Sequence, residues 1–327
     1  MIQFISNFTN QLTEAKLIGS KLLDKTVNKD VKNVIICGLG GSGIGGKIAS
    51  KLAESRCEKP VVTYNSYSLP AFVNKNTLVI ISSYSGDTEE TVSALKEAIT
   101  RKCEIICISS GGEVKEIAEK NNIPVLLVPG GNPPRAMLTY SLTQLLFIFE
   151  HYSLMNIDAL DEINNSISLL DKEEKDIKEE AKKVADQVKN TTVLIYTDAS
   201  FEGVGTRFKQ QLNENTKTLA FANVIPEMNH NELLGWQGGS KSFSSIFLRN
   251  TTDNSRNQLR MDISKENISK IANSCVEIYS KGNTEIERIF YFILMTDWIS
   301  IYLADIYKVD TIEIKVIDFL KNQLRKH

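Results

Sequence analysis

The chain has 327 residues, 42% hydrophobic and 24% charged, an ordinary globular composition with enough length for two domains rather than one. Thirty-eight Lys and Arg against forty Asp and Glu leave a net charge of −2. That balance does not favour nucleic acid or an anionic membrane surface as a bulk partner. An anionic ligand would have to be held by local geometry.

The N-terminal run MIQFISNFTNQLTEAK has no basic start and no long apolar core, so it does not read as a signal peptide. Five cysteines, an odd number, with no secretion signal predict reduced thiols and a cytoplasmic protein. Cys103 and Cys107 lie in or beside the apolar run CEIICIS and read as buried strand residues.

Residues 1–30 predict a helix ending in a polar turn. NVIICGLG at 33–40 is an apolar run stopped by glycines, as in a buried parallel strand, and SGIGGKIASKLAE at 42–54 follows with helical spacing. VVTYNS at 61–66, TLVIISSYS at 77–85, CEIICIS at 103–109 and VLLVP at 125–129 read as further strands, with TEETVSALKEAI at 88–99 as a helix between them. This alternation predicts an α/β fold with a mainly parallel sheet flanked by helices. Residues 156–190 are a charged amphipathic helix, read as a connector. TTVLIYTD at 191–198 restarts the strand–helix pattern, with strands in TKTLAFANV and KSFSSIFLRN, a helix near 284–306 and a last one near 311–325. The expected organisation is therefore a first domain at 1–155, a helical connector at 156–190 and a second domain at 191–327. The run IFYFILM at 289–295 is too short to span a bilayer and reads as a core or interface helix.

Two loops are built to hold an anion. In GLGGSGIGG at 38–46, glycines allow a tight turn and the following helix offers free N–H groups at a positive dipole end. Gly38, Gly40 and Gly43 also satisfy a dinucleotide fingerprint, but the second strand ends in TYNSYS without the acid that a ribose requires, and Glu58 precedes that strand. SSYSGDTEET at 82–91 puts Ser83, Ser85 and Thr88 at the end of the third strand, beside the N–H groups of a new helix. An ordinary helix cap uses one such hydroxyl, not several. Both loops fall at carboxyl ends of strands, where open parallel sheets bind ligands.

With these pieces in place, the chain resembles the sugar isomerase (SIS) domain family, and more closely the bifunctional phosphoglucose/phosphomannose isomerases. GLGGSGIGG, SSYSGDTEET, GGNPPRAMLTYS, LNENTK and EMNHNELLGW occur in that order between residues 38 and 236. The resemblance implies two tandem SIS domains and exchange of glucose 6-phosphate, with mannose 6-phosphate, for fructose 6-phosphate. It implies phosphate binding by Gly41, Ser42, Ser83, Ser85 and Thr88, a catalytic base at Glu214, ring opening by His230 and stabilisation of the charged intermediate by Arg135. It also implies a homodimer in which His230 serves the partner's site. A Lys and a Thr or Gln near the sugar are expected from the C-terminal helix. VDTIEIKVIDFLK at 309–321 lacks the expected VDP start, leaving Thr311 with Lys315 or Lys321 as candidates.

The residues themselves allow that chemistry. Aldose–ketose exchange needs an acid/base for ring opening, a carboxylate to move a proton between C2 and C1, positive charge beside the enediolate, and an anchored phosphate. Of three histidines, His151 follows an apolar run and His327 is the last residue, whereas His230 sits among polar residues, and imidazole is the side-chain type suited to proton transfer. Glu227 and Glu232 flank His230 and rival Glu214 as the base. Arg135 follows Pro133 and Pro134, which stiffen its loop. No His, Cys or acid cluster has structural-metal spacing, so neither metal nor cofactor is expected. A non-catalytic sugar-phosphate sensor and an isomerase of another sugar phosphate remain as alternatives. No helix-turn-helix accompanies the loops, and no glutaminase domain that an aminosugar synthase would need.

Overall fold

The computed structural model describes residues 1–22, 30–324 and 326. His327 and most of the polar turn expected before residue 30 lie outside them. The first half runs α1 (Ile2–Ser6), α2 (Phe8–Gly19), β1 (Asn33–Cys37), α3 (Gly40–Glu54), β2 (Val61–Tyr64), β3 (Thr77–Ser83), α4 (Glu89–Thr100), β4 (Glu104–Ser109), α5 (Gly112–Lys120), β5 (Val125–Leu127) and α6 (Leu138–His151). Its strands form one parallel sheet in the order β2-β1-β3-β4-β5. The chain leaves β1 toward one edge and returns at β3 to build toward the other, so the ends of β1 and β3 frame the crevice where the winding direction reverses.

After α7 (Ala159–Val188) come β6 (Thr192–Asp198), α8 (Glu202–Gln211), β7 (Ala220–Ile225), α9 (Glu232–Gly235), β8 (Phe243–Arg249), α10 (Ser255–Ser269), β9 (Cys275–Tyr279), α11 (Glu285–Tyr307) and α12 (Lys315–Leu324). The second sheet, β7-β6-β8-β9, is again parallel. The fold is thus α/β, with two parallel sheets flanked by helices.

Period-two burial explains why the strands read as continuous apolar runs. In β1, Val34 and Ile36 face one core and Ile35 and Cys37 the other. The larger core passes through both halves of the chain, joining Val34 and Leu78 to Val193 and Ile246 through Phe290 and Phe292 of α11. Burial pushes the thiols of Cys37 and Cys107 up to about 12, which keeps them unreactive at neutral pH; Cys103 is only half-buried, at the mouth of β4.

The apolar segment offered by the sequence as core or interface is core. By length and composition α11 could cross a membrane, yet 83% of its most apolar window is buried inside this chain, packed on α7 and α8. α7 lays Ile163, Leu170, Ile177 and Val184 along α11 and keeps its charges outside. The last helix begins later than the pattern predicts. Asp310 Oδ1 accepts from the Ile312 N–H at 2.7 Å and Glu313 Oε1 from the Lys315 N–H at 2.6 Å, local bonds that hold the segment in turns until Lys315.

Candidate active site

The two hydroxyl-rich loops meet at the crevice. Ser42, in the first turn of α3, accepts the backbone N–H of Tyr84 at 2.9 Å, tying the loop after β1 to the loop after β3. Neither α3 nor α4 uses a side chain to cap its N-terminus. Thr88 occupies the N-cap of α4 without bonding the helix through its hydroxyl, so that hydroxyl is not committed as a cap. Ser83 Oγ is buried with no hydrogen-bond partner, as is Ser82 Oγ. Ser85 is exposed and accepts from the Asp87 N–H at 3.3 Å. A water-sized cavity of about 10 Å³ lies beneath, lined by Gly41, Ser42, Ser82, Tyr84, Pro134 and Ser141.

Two glycines shape these loops. Gly86 has φ +80°, and a Cβ there would stand 1.8 Å from the Gly111 carbonyl, so no other residue fits the turn between Ser85 and α4. A Cβ on Gly41 would come within 3.0 Å of the Pro134 carbonyl and 3.5 Å of the Arg135 N–H. The hydroxyl loops and the arginine loop therefore pack backbone to backbone.

Arg135 sits in a 3-10 turn, Pro134–Ala136, just before α6, and is only 4% exposed. Its Nη1 lies 3.2 Å from Glu214 Oε2, its Nε donates to Asn215 Oδ1 at 3.0 Å, and its Nη2 donates to the Thr311 carbonyl. Burial lowers the guanidinium pKa, and the charge of Glu214 works against that shift. Glu214 is partly exposed on a π-helical turn, Leu212–Thr216, that continues α8. The turn ends at Lys217, whose φ is +57° and whose ammonium donates to the Glu214 carbonyl. Glu214 opens onto a cavity of about 480 Å³ shared with Lys217, Leu219, Ile314 and Lys315, a volume in the range of small-molecule sites.

The remaining candidates are placed less closely. Thr311 touches Arg135 through its backbone, Lys315 lines the Glu214 cavity, and Lys321 lies exposed outside it. His230 is exposed at the end of a 3-10 turn, Glu227–His230, and among the described residues it shares no hydrogen bond or cavity with Glu214 or Arg135. His151 is buried at the end of α6, edge-on to Tyr152. Of the rival carboxylates, Glu232 is held by Tyr196 Oη at 2.7 Å and Asn223 Nδ2 at 2.6 Å, and Glu227 accepts from Asn231 Nδ2 at 2.9 Å. Of these three carboxylates, Glu214 is the one paired with the buried Arg135.

This chain is 37% identical to the bifunctional phosphoglucose/phosphomannose isomerase of Caldicellulosiruptor bescii, over 99% of this chain and 98% of that one. It belongs to that family. It is also 33% identical to the Aquifex aeolicus protein of the same name, over 90% of this chain and 91% of that one. Residues 177–324 match the bacterial phospho-glucose isomerase C-terminal SIS domain. In fold it is similar to the C-terminal domain of glucosamine-fructose-6-phosphate aminotransferase from Francisella tularensis, with a TM-score of 0.75 at 14% identity, covering 95% and 96% of the two chains.

Beneath Arg135 lies a layer that none of the sequence motifs marks. Arg207 is 1% exposed; its Nη2 reaches both oxygens of Asp297 at 3.2 and 3.1 Å and donates to the Arg135 carbonyl at 2.6 Å. Gln211 Nε2 donates to the same carboxylate at 2.6 Å. Burial pushes the Asp297 pKa up, and Arg207 opposes it. A lone acid inside the apolar run of α11 was the available signal, because a buried carboxylate must find a partner.

Proposed function

We propose that this chain interconverts glucose 6-phosphate and mannose 6-phosphate with fructose 6-phosphate by proton transfer through an enediolate. The observation that carries the reading is the Arg135–Glu214 pair, packed beside the hydroxyl loops in a chain of this family. Gly41, Ser42, Ser83, Ser85 and Thr88 hold the phosphate. Unbonded Ser83 Oγ and the uncapped N-termini of α3 and α4 supply donors there without a full positive charge. Glu214 moves the proton between C2 and C1, and Arg135 meets the negative charge that develops on the enediolate. The chemistry uses the chain's own groups, without a cofactor, and the protein works in the cytoplasm, in interconversion of hexose phosphates between sugar-degrading and sugar-building routes.

Double replacement of Ser83 and Ser85 by Ala is expected to raise KM and lower kcat together, because phosphate binding energy also positions the reacting carbons. A coupled assay with each sugar phosphate, together with competition by inorganic phosphate, measures both. Unchanged kinetics would remove these hydroxyls from the site.

We propose further that the protein is a homodimer with His230 of one chain opening the sugar ring in the other's site. Support comes from His230 standing clear of Glu214 in its own chain, and from uncovered apolar surface. Val316 is 82% exposed and Leu219 73%, and both line the Glu214 cavity, which a second copy would enclose. The apolar helix α11 does not serve this purpose, being buried within its own chain. Mixing Glu214→Gln with His230→Ala subunits should restore about a quarter of wild-type activity, since half the dimers are hybrids and each hybrid holds one intact site. Failure to recover activity despite demonstrated subunit exchange would place both residues in one chain.

A further inference from the structure

Fixing a guanidinium requires partners for its separate nitrogens, and the three on Arg135 come from two parts of the chain, the adjacent Glu214 and Asn215 and the distant Thr311. Glu214 takes Nη1, the Thr311 carbonyl takes Nη2, and Asn215 takes Nε. Of the two side chains, Glu214 is partly exposed, whereas Asn215 is fully buried. Only Asn215 is in turn held from behind. Its Nδ2 donates to Ser300 Oγ at 2.9 Å, and Ser300 Oγ donates to the Asp297 carbonyl at 2.7 Å. The amide can sit only one way round. Its oxygen must face the Nε–H of Arg135, since a flipped amide would set two donors against each other.

The local sequence builds this arrangement. Arg207, Gln211 and Asn215 follow at intervals of four along α8 and its π-helical continuation, and all three face Asp297 or Ser300 on α11. The wider π turn leaves Glu214 looking into the open cavity while the next residue points into the protein. Adjacent residues thus serve the cavity and the buried frame.

We propose that Asn215 is the positioning residue for Arg135: it reads out the fixed frame of α11 through Ser300 and aims the guanidinium at the place where the enediolate charge forms. The inference rests on the proposed roles of Arg135 and Glu214. Asn215 touches no substrate; it acts through the arginine. Its effect should therefore fall on kcat, where charge develops, and not on phosphate binding, which the loops after β1 and β3 supply.

The test compares Asn215→Leu, Asn215→Asp and Ser300→Ala with Arg135→Leu as reference. Asn215→Leu keeps the shape and removes the acceptor, so kcat should fall by about 10- to 100-fold, the cost of an Å-scale misplacement of a catalytic group. KM and inhibition by inorganic phosphate should stay within about twofold. Asn215→Asp keeps an oxygen for Nε and should recover most of the lost kcat; Ser300→Ala should fall between wild type and Asn215→Leu. Folded Asn215→Leu or Ser300→Ala protein with wild-type kcat would overturn the proposal. So would an equal loss in kcat and phosphate affinity, the mark of a general structural defect. If Asn215→Leu does not fold, Ser300→Ala and Asn215→Asp decide. An Arg135→Leu enzyme with full kcat would instead refute the role given to Arg135 itself, a failure distinguishable from this one.

Discussion

Glu214→Gln is expected to lower kcat by about a thousandfold, within the range that a positioned general base contributes. The amide keeps the volume and an oxygen toward Arg135 but cannot accept the C2 proton at neutral pH. Because the hydroxyl loops are separate from the π turn, inhibition by inorganic phosphate should not change. Exchange of the C2 proton with solvent, followed by NMR in D2O, should disappear along with turnover. The comparison that matters is Glu227→Gln. If that variant is inactive and Glu214→Gln is not, the base lies on the loop that carries His230, and the pairing with Arg135 is structural.

The second large effect is on stability. Asp297→Leu leaves Arg207 buried with its charge unanswered and takes a partner from Gln211, so it should cost about 3–5 kcal/mol, the usual penalty for breaking a buried ion pair from one side. Removing both charges in Arg207→Met/Asp297→Leu should return much of that stability, since a buried pair gains little net energy over apolar residues of similar volume. Activity should not return with it, because Arg207 also holds the Arg135 carbonyl. Urea unfolding of the two single variants and the double variant forms the cycle. A loss below about 1 kcal/mol for Asp297→Leu would show that the pair is not the support described here.

The strands and the two hydroxyl loops were legible because their information is local. A strand such as Thr77–Ser83, buried along its whole length around the apolar run LVII, has no solvated face to interrupt it, and glycine and serine after it declare a turn into a helix. Glu214 and Arg135 were singled out by motif alone; neither would stand out among forty acids and thirty-eight bases by spacing. Their contact, 79 residues apart in sequence, is a tertiary fact. Asn215 shows the limit more sharply. LNENTK gives no sign that its second asparagine is buried and its glutamate is not, because that depends on a π turn and on which helix packs behind it. α11 was legible as apolar but not as enclosed by its own chain, since a core helix and an interface helix carry the same pattern. Likewise the start of α12 shifted because side-chain bonds of Asp310 and Glu313 competed with the helix, a choice that periodicity does not register.

In the proposed reaction one enzyme moves a proton between C1 and C2 of hexose 6-phosphates. The most direct measurement supplies fructose 6-phosphate as the only substrate in D2O, after exhaustive dialysis against chelator, and follows the products by NMR. Glucose 6-phosphate and mannose 6-phosphate should both form, each with deuterium at C2 in a measurable fraction, and Glu214→Gln should form neither. Aldose products with no solvent deuterium at C2, or no aldose product at all from folded protein, would contradict it.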